Sequence, residues 1–364
     1  MYDYLIVGAG VFGAVSARLL TDAGKKCLVI DKRDHIAGNC FTELSEGINV
    51  HRYGAHIFHT NDENIWNFIK KYSDFNNYIN SPVANYKGKL YSLPFNMWTF
   101  YQLWGVRTPE EAKQKIESQR FTGVPTNLEE QALSMVGSDI YNTLIKGYTQ
   151  KQWMTDPKNL PKFIISRLPV RYTFDNNYFN DRFQGIPVGG YTSIFKKLLK
   201  GIDVKLEADF FSDRDYFESL SRKIVYTGSI DQFFNYKFGH LNYRTLKFES
   251  QLLEMENYQG NAVCNYTDES TPFTRILEHK HFEFGTQKHT IVTHEYPEIW
   301  SKEKIPYYPI NDGINNSIYQ QYRKLSLEAK NCIFGGRLAD YKYYDMHQVI
   351  GSALSRISKE IDLF

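Results

Sequence analysis

Residues 1–39, MYDYLIVGAGVFGAVSARLLTDAGKKCLVIDKRDHIAGN, constrain this chain more than any other stretch. Tyr4 to Val7 is an apolar strand, Gly8, Gly10 and Gly13 form a G-x-G-x-x-G turn, and Ala14 to Leu20 reads as a helix. Cys27 to Ile30 is a second apolar strand, and Asp31 ends it, 23 residues beyond Gly8. Each part has a physical task. Gly8 permits a tight turn, Gly10 lets backbone approach a pyrophosphate, and Gly13 lets the helix pack on the strand. The helix N-terminus favours phosphate charge. A carboxylate at Asp31 can accept hydrogen bonds from an adenosine ribose. Strand, turn, helix, strand and acid in this order predict a dinucleotide-binding α/β unit.

The choice of dinucleotide rests on three further stretches. Lys32 to Asn39 is similar to the segment after the acid in two-domain flavoproteins, where small residues lie close to the diphosphate. Ala37-Gly38 stands where many of those proteins have Gly-Gly. Lys223 to Gly228 reads as a buried strand ending in a small-residue turn. Near the C-terminus, Cys332 to Arg337 reads as a strand and turn, and Tyr344 to Val349 begins a helix. A dinucleotide domain drawn from both ends of the chain suits FAD better than a simple NAD dehydrogenase.

With 364 residues the chain can build two or three lobes. Its 43 basic and 41 acidic residues leave a net charge of +2, which argues against nucleic acid as a partner and assigns any anion to local arginines. Cys27, Cys40, Cys264 and Cys332 lack C-x-x-C spacing, so neither a disulfide framework nor a zinc site is expected. His56 with His59, and His279 with His281 on one strand face, lack supporting carboxylates or cysteines, and no metal is expected. The chain opens directly in a strand and has no long apolar run, so neither a signal peptide nor membrane insertion is expected, and the cytoplasm is the expected location. Aromatic residues reach 16%, enough for both a ring-rich core and a cleft that stacks on planar groups.

Along the chain, Thr60-Asn-Asp-Glu63 has capping-box spacing before an apolar face of Ile65, Phe68 and Ile69. Val83 to Tyr86 and Leu90 to Leu93 flank a turn at Lys87-Gly88-Lys89 and predict a hairpin. Thr108-Pro-Glu-Glu111 and Asn127-Leu-Glu-Glu130 start helices, and Ile140 to Lys146 is expected to stop at Gly147. Residues 160–190 are broken by Pro, Asn and Gly, as a mobile active-site loop would be. Alternation in Tyr243 to Phe248, Ala262 to Tyr266 and His289 to Thr293 predicts antiparallel strands. The expected fold is α/β plus α+β. A split Rossmann-like FAD domain takes 1–78, 187–231 and 316–364, and a helical domain takes 96–165. An antiparallel sheet domain takes 79–95, 166–186 and 232–315, with the mobile loop near 160–180.

Serine, cysteine and aspartate nucleophile motifs, H-E-x-x-H and a Walker loop are all missing, so a bound flavin is left to do the hard chemistry. Here a resemblance enters. Tyr53 to Thr60 (YGAHIFHT), Ser92 to Asn96 (SLPFN), Lys146 to Trp153 (KGYTQKQW) and Arg167 to Arg171 (RLPVR) resemble the prokaryotic UDP-galactopyranose mutases. So do Asp175 to Tyr178, Gln184 to Pro187, Tyr243 to Phe248, Thr274 to His281, Pro306 to Pro309 and Gly335 to His347, in order and nearly end to end.

That resemblance implies a flavin-dependent isomerase that interconverts UDP-galactopyranose and UDP-galactofuranose. The reaction has no net redox, runs through a reduced-flavin N5–sugar iminium adduct, and supplies galactofuranose to cell-surface glycans. It implies a homodimer and NADH or NADPH as reductant. By motif position, Arg167 and Arg275 pair with the diphosphate and Arg244 contacts substrate. Tyr178, Tyr308 and Tyr343 match phosphate-contacting tyrosines, Tyr148 stacks on uracil, and Trp153, Asn80 and Thr149 line the same pocket. Flavin contacts fall on Gly8, Gly10, Phe12, Gly13, Asp31, Gly38, Asn39, His56 and Ile57. At the C-terminal end they fall on Arg337, Tyr344, Asp345, Met346, His347, Gln348 and Val349. His56 is expected to tune the flavin, and Asp345 to hydrogen-bond near it rather than act as a base. Relatives that also accept the N-acetylgalactosamine analogue have arginine at the position of His59, so histidine there points to plain galactose.

Two other readings of the same residues stay open. A conventional FAD oxidoreductase, such as an amine or protoporphyrinogen oxidase, would share the dinucleotide domain. A non-catalytic UDP-sugar binder would keep the flavin as structure only.

Overall fold

The computed structural model describes residues 1–166 and 168–363. Its parallel sheet runs Cys332–Phe334, Ser221–Tyr226, Tyr2–Val7, Cys27–Ile30 and Asp203–Lys205 from edge to edge. Every pairing in it is parallel. Such a sheet must be covered on both faces, which is why its strands read as unbroken apolar runs. Alternate side chains take opposite sides. Ile6, Val29 and Val225 pack under the helices Val11–Asp22, Tyr191–Leu198 and Met346–Ile361. Leu5, Leu28 and Ile224 face an aromatic layer with Phe210, Phe217, Phe233 and Tyr322. Helix Val11–Asp22 begins three residues before the glycine spacing alone suggests, because Gly10 already serves as its N-cap.

A second sheet has seven strands in the order Tyr308–Pro309, Tyr243–Leu253, Thr290–Ile299, Arg275–Glu278, Val263–Tyr266, Val83–Tyr86 and Lys89–Ser92. It is antiparallel except where Val263–Tyr266 runs parallel to Val83–Tyr86. The hairpin expected at 83–93 turns through Lys87 and Gly88, both at positive φ. A helical layer, Met97–Trp104, Pro109–Glu117, Leu128–Ile140 and Lys146–Trp153, packs Phe100, Leu128 and Ile140 against Tyr91 and Phe95 from the hairpin side.

Four local expectations need correction. Helix Glu63–Lys70 is capped by Asp62, whose side chain accepts from Asn64 and Ile65, while Thr60 caps only the Asp62 amide. Asn127 caps Leu128–Ile140 as expected, accepting from the Glu130 amide at 3.0 Å, but the Glu130 carboxylate accepts from Thr126 rather than from the Asn127 amide. His279 and His281 lie on a 3₁₀ turn, His279–Glu283, and not on a strand face. Gly147 does not end a helix. The chain runs through a π-helical turn, Tyr141–Ile145, straight into Lys146–Trp153.

Gly147 is needed because a β-carbon there would stand 2.5 Å from the Thr267 carbonyl oxygen. The adjoining helix therefore lies directly on the 267–269 backbone, and Thr267 Oγ1 donates to the Thr143 carbonyl at 2.8 Å. A π turn of this kind is a frequent mark of functional sites. Gly147→Ala should lower unfolding stability by about 1–3 kcal/mol through overpacking. Denaturant midpoints would read this, and an unchanged midpoint would contradict the close approach.

Candidate active site

At the C-terminal edge of the parallel sheet lies a cleft of ≈ 320 Å³, bounded by the glycine turn at one end and by Met346 and Val349 at the other. That volume lies within the range of cofactor pockets. Gly10 caps helix Val11–Asp22 without a side chain, so the first turn of amides faces the cleft. Asp31 is fixed by two backbone donors. Its Oδ2 accepts from Ala9 at 2.8 Å and its Oδ1 from Arg33 at 2.9 Å. Each carboxylate oxygen keeps a lone pair for a hydroxyl.

Gly38, at φ +55°, completes the cradle, since a β-carbon on it would stand 3.0 Å from the Gly10 Cα. Gly13 packs so tightly on the turn that its β-carbon would meet the Gly8 carbonyl oxygen at 1.9 Å. Phe12 fills the space against Gly335 and lines the cleft. Asn39 accepts from Arg33 Nη2 at 2.9 Å, while Arg33 Nη1 is buried with no hydrogen-bond partner among the described residues. The bare glycines, the pinned acid and that unpaired cation suit a dinucleotide diphosphate and ribose. The residues fit FAD.

Toward the far end, His56 donates from Nδ1 to the Gly54 carbonyl at 2.8 Å, which leaves Nε2 as an acceptor. Burial pushes its pKa down to about 4, so it is neutral near pH 7. Ile57 turns away into a small core with Ile186 and Leu277. Arg337 donates to the Tyr344 carbonyl at 2.7 Å and sits 5.7 Å from the rings of both Tyr308 and Tyr343. Helix Met346–Ile361 starts here. Asp345 donates its amide to Gln348 Oε1 at 2.9 Å, and Gln348 itself is exposed. A nitrogen each from His59 and His347 and a carboxylate oxygen of Asp345 lie within 4.8 Å of one another, a donor set that a cation could use.

Beside this cleft stands a half-buried cation. Arg275 Nε lies 3.0 Å from Glu295 Oε1, and Glu295 is 3% exposed. Burial disfavours the guanidinium charge, but the Glu295 carboxylate more than offsets it, and the net effect is to hold the proton more firmly. Tyr148, Tyr178, Tyr308 and Tyr343 all lie within electrostatic reach of this group. Burial pushes the Tyr148 hydroxyl up to about 12, so it stays a proton donor. Tyr308 and Tyr343 stack at 5.2 Å. Arg244 lies 5.7 Å over the Trp153 ring, its Nε buried without a hydrogen-bond partner among the described residues. The Asn80 carbonyl accepts from the Tyr178 amide at 2.7 Å, and Thr149 is buried on the Tyr148 helix. Arg167 lies outside the described residues.

Sequence reasoning missed several members. Glu295 is an acid facing inward from a strand whose neighbours Thr293 and Val292 are also buried, and an inward acid opposite an expected arginine was the available signal. Lys151 donates to the carbonyls of Tyr266 at 2.7 Å and Phe273 at 3.0 Å, tying the Tyr148 helix to the segment that leads into Arg275. Burial pushes its pKa down to about 8. Arg33 was read only as part of the small-residue crossing.

Breaking a buried ion pair by removing one partner leaves the other charge uncompensated. Glu295→Gln should therefore lower stability by about 3 kcal/mol. Added pyrophosphate should then raise the melting temperature more in the variant than in the parent. Equal shifts in both proteins would show that Arg275 does not face the anion site.

The comparisons with known proteins agree with this geometry. A family model described as UDP-galactopyranose mutase matches residues 143–343, and one described as NAD(P)-binding Rossmann-like domain matches residues 6–72. A dTDP-fucopyranose mutase from Escherichia coli is 43% identical, over 97% of this chain and 97% of the relative. A probable UDP-galactopyranose mutase from Klebsiella pneumoniae is 38% identical, over 97% of this chain and 93% of the relative. Among solved structures, reduced UDP-galactopyranose mutase superposes with a TM-score of 0.75 at 14% identity, covering 100% of this chain and 94% of that one, a likeness of fold. A putative protoporphyrinogen oxidase from Exiguobacterium shares the fold at a TM-score of 0.67 and 12% identity, over 100% of this chain and 99% of that one. The cradle, the half-buried arginine and these relatives together place the chain in the UDP-galactopyranose mutase family.

Proposed function

We propose that the protein interconverts the pyranose and furanose forms of a nucleotide sugar, UDP-galactose and UDP-galactofuranose, with reduced FAD and without net redox change. The observation that carries this reading is the charged Arg275, held by Glu295 among Tyr148, Tyr178, Tyr308 and Tyr343, beside a dinucleotide cleft. Reduced flavin supplies a nucleophilic nitrogen for the anomeric carbon. Everything else falls to the chain. As the diphosphate leaves that carbon its charge grows, and a fixed guanidinium stabilises the departing anion more than the bound sugar nucleotide. Arg275 supplies one such fork, and Arg167 the second. Tyr178 and Tyr308, kept protonated by burial, donate to the phosphate oxygens beside Tyr343. Tyr148 offers its ring to the base, while Trp153 and Arg244 close the pocket. Neutral His56 offers Nε2 as an acceptor on the cofactor side. The N-terminus of helix Met346–Ile361 favours negative charge there.

The wider reading adds a homodimer in the cytoplasm, NADH or NADPH as electron source, and delivery of galactofuranose to lipopolysaccharide or another cell-surface glycan. By sequence, Arg167 belongs to the stretch near 160–180 expected to serve as an active-site loop, between the FAD-binding, helical and sheet domains outlined from the sequence. A second substrate pair deserves equal testing, because the 43% identical relative is a dTDP-fucopyranose mutase. Ring stacking on Tyr148 suits thymine as well as uracil, and the diphosphate demands the same arginines.

The test offers UDP-galactofuranose and dTDP-fucofuranose separately to the purified protein, with and without dithionite. Pyranose product should form only with reduced flavin, and the faster pair names the substrate. Arg275→Ala and Arg167→Ala should each cut turnover by at least about 100-fold. Near-normal turnover in both variants would refute the diphosphate assignment. No conversion of either sugar by FAD-loaded protein would favour the oxidoreductase reading.

A further inference from the structure

The short strand Phe58–Thr60 pairs antiparallel with Phe183–Gly185, which sets His59 opposite Gln184. Two residues before the second strand, Asp181 turns its carboxylate back onto the first. Its Oδ2 lies 2.5 Å from Nδ1 of His59, and its Oδ1 accepts from Asn61 Nδ2 at 2.5 Å. Asn61 returns the contact, its Oδ1 accepting from the Arg182 amide at 2.9 Å. Phe179 lies flat on the His59 ring, with centroids 3.8 Å apart and planes 12° from parallel. Strand pairing needs none of these side-chain contacts, since backbone groups make it. They fix an imidazole.

On its other side, His59 meets His347 edge to face, 5.0 Å between centroids. The Asp345 carboxylate joins the two imidazoles at the start of helix Met346–Ile361, whose Met346 and Val349 line the cofactor cleft. Nδ1 of His347 is buried without a hydrogen-bond partner among the described residues. His59 thus spans the gap between the segment carrying Tyr178, Phe179 and Asp181 and the cofactor end of that helix. The same segment is held by Arg171, which donates to the Asn177 carbonyl and to Asn180 Oδ1.

A carboxylate only accepts, so the proton between Asp181 and His59 sits on Nδ1 of the ring. A neutral imidazole protonated at Nδ1 has its lone pair at Nε2. We propose that Asp181 is a positioning residue that locks His59 in the Nδ1–H form, so that Nε2 accepts a hydroxyl of the bound sugar. This rests on the mutase reading above. The Asp181 contact then both ties the Tyr178–Asp181 segment to the strand Phe58–Thr60 and sets the polarity of His59. Asparagine at position 181 keeps the size of the side chain but can donate to Nδ1. The ring would then carry its proton on Nε2 and donate where it should accept.

The test uses the FAD-loaded protein and its Asp181→Asn, Asp181→Glu, His59→Gln and Asp181→Asn/His59→Gln variants. Nitrogen-15 NMR of histidine-labelled protein reads the tautomer, with the His59 signal assigned by its loss in His59→Gln. Wild-type His59 should be protonated at Nδ1 and bare at Nε2, and Asp181→Asn should shift the proton to Nε2. Turnover in Asp181→Asn should fall roughly tenfold to a hundredfold, the usual effect of removing the partner that orients a functional histidine. Asp181→Glu should recover part of it, and the double variant should be no slower than His59→Gln alone. A wild-type His59 protonated at Nε2 would overturn the proposal. So would an unchanged tautomer in Asp181→Asn, or losses that multiply in the double variant. A wild type that converts no nucleotide sugar would refute the mutase reading instead, and the NMR result would still decide the tautomer.

Discussion

Backbone meets backbone at the glycine turn with no room for a side chain between. A β-carbon on Gly13 would lie 1.9 Å from the Gly8 oxygen, one on Gly38 would lie 3.0 Å from Gly10, and one on Gly335 would enter the Phe12 ring at 2.0 Å. These approaches bring together three pieces of chain that are far apart in sequence. They also fix the helix N-terminus against the cleft and set the end of the parallel sheet where a ligand can reach it. Ligands of open α/β sheets sit at the carboxyl ends of the strands for this reason. The C-terminal helix Met346–Ile361 packs on Val11–Asp22 in the same layer, so the two ends of the cleft are parts of one rigid construction.

The second constraint is electrostatic. A half-buried guanidinium surrounded by tyrosines stands in a medium that disfavours charge, and Glu295 keeps it cationic without hydrogen-bonding all of its nitrogens. That arrangement suits a group meant to meet an anion. Lys151 and the Gly147 contact hold the Tyr148 helix on the strand segment leading to Arg275, so that helix and the cation are tied together. Fixed groups of this kind need no reorganisation when charge develops, which is where such a site gains most of its rate.

Much of this was legible in the sequence. The first strand, the glycine turn, the second strand and Asp31 could be read because local rules alone decide them. The hairpin at 83–92 and the Thr108 cap were legible for the same reason. The parallel pairing of Val263–Tyr266 with Val83–Tyr86 was not, because nothing local distinguishes it from a further antiparallel neighbour. The end expected at Gly147 failed because glycine serves close approach as well as helix termination, and only the tertiary partner, Thr267, tells which. Glu295 and Asp181 were missed because a single acid in a strand or loop carries no sign of the cation or imidazole it will meet.

In a mutase, electrons in the cofactor are needed for the reaction yet not consumed by it. The direct measurement reduces FAD-loaded protein once, without oxygen, and follows the flavin absorbance while a large excess of sugar nucleotide is converted. A mutase should give many turnovers for each reduced flavin, with the visible band staying bleached until the sugar reaches equilibrium. One turnover per reduction, with return of the oxidised spectrum, would contradict it and make the protein an ordinary flavin oxidoreductase.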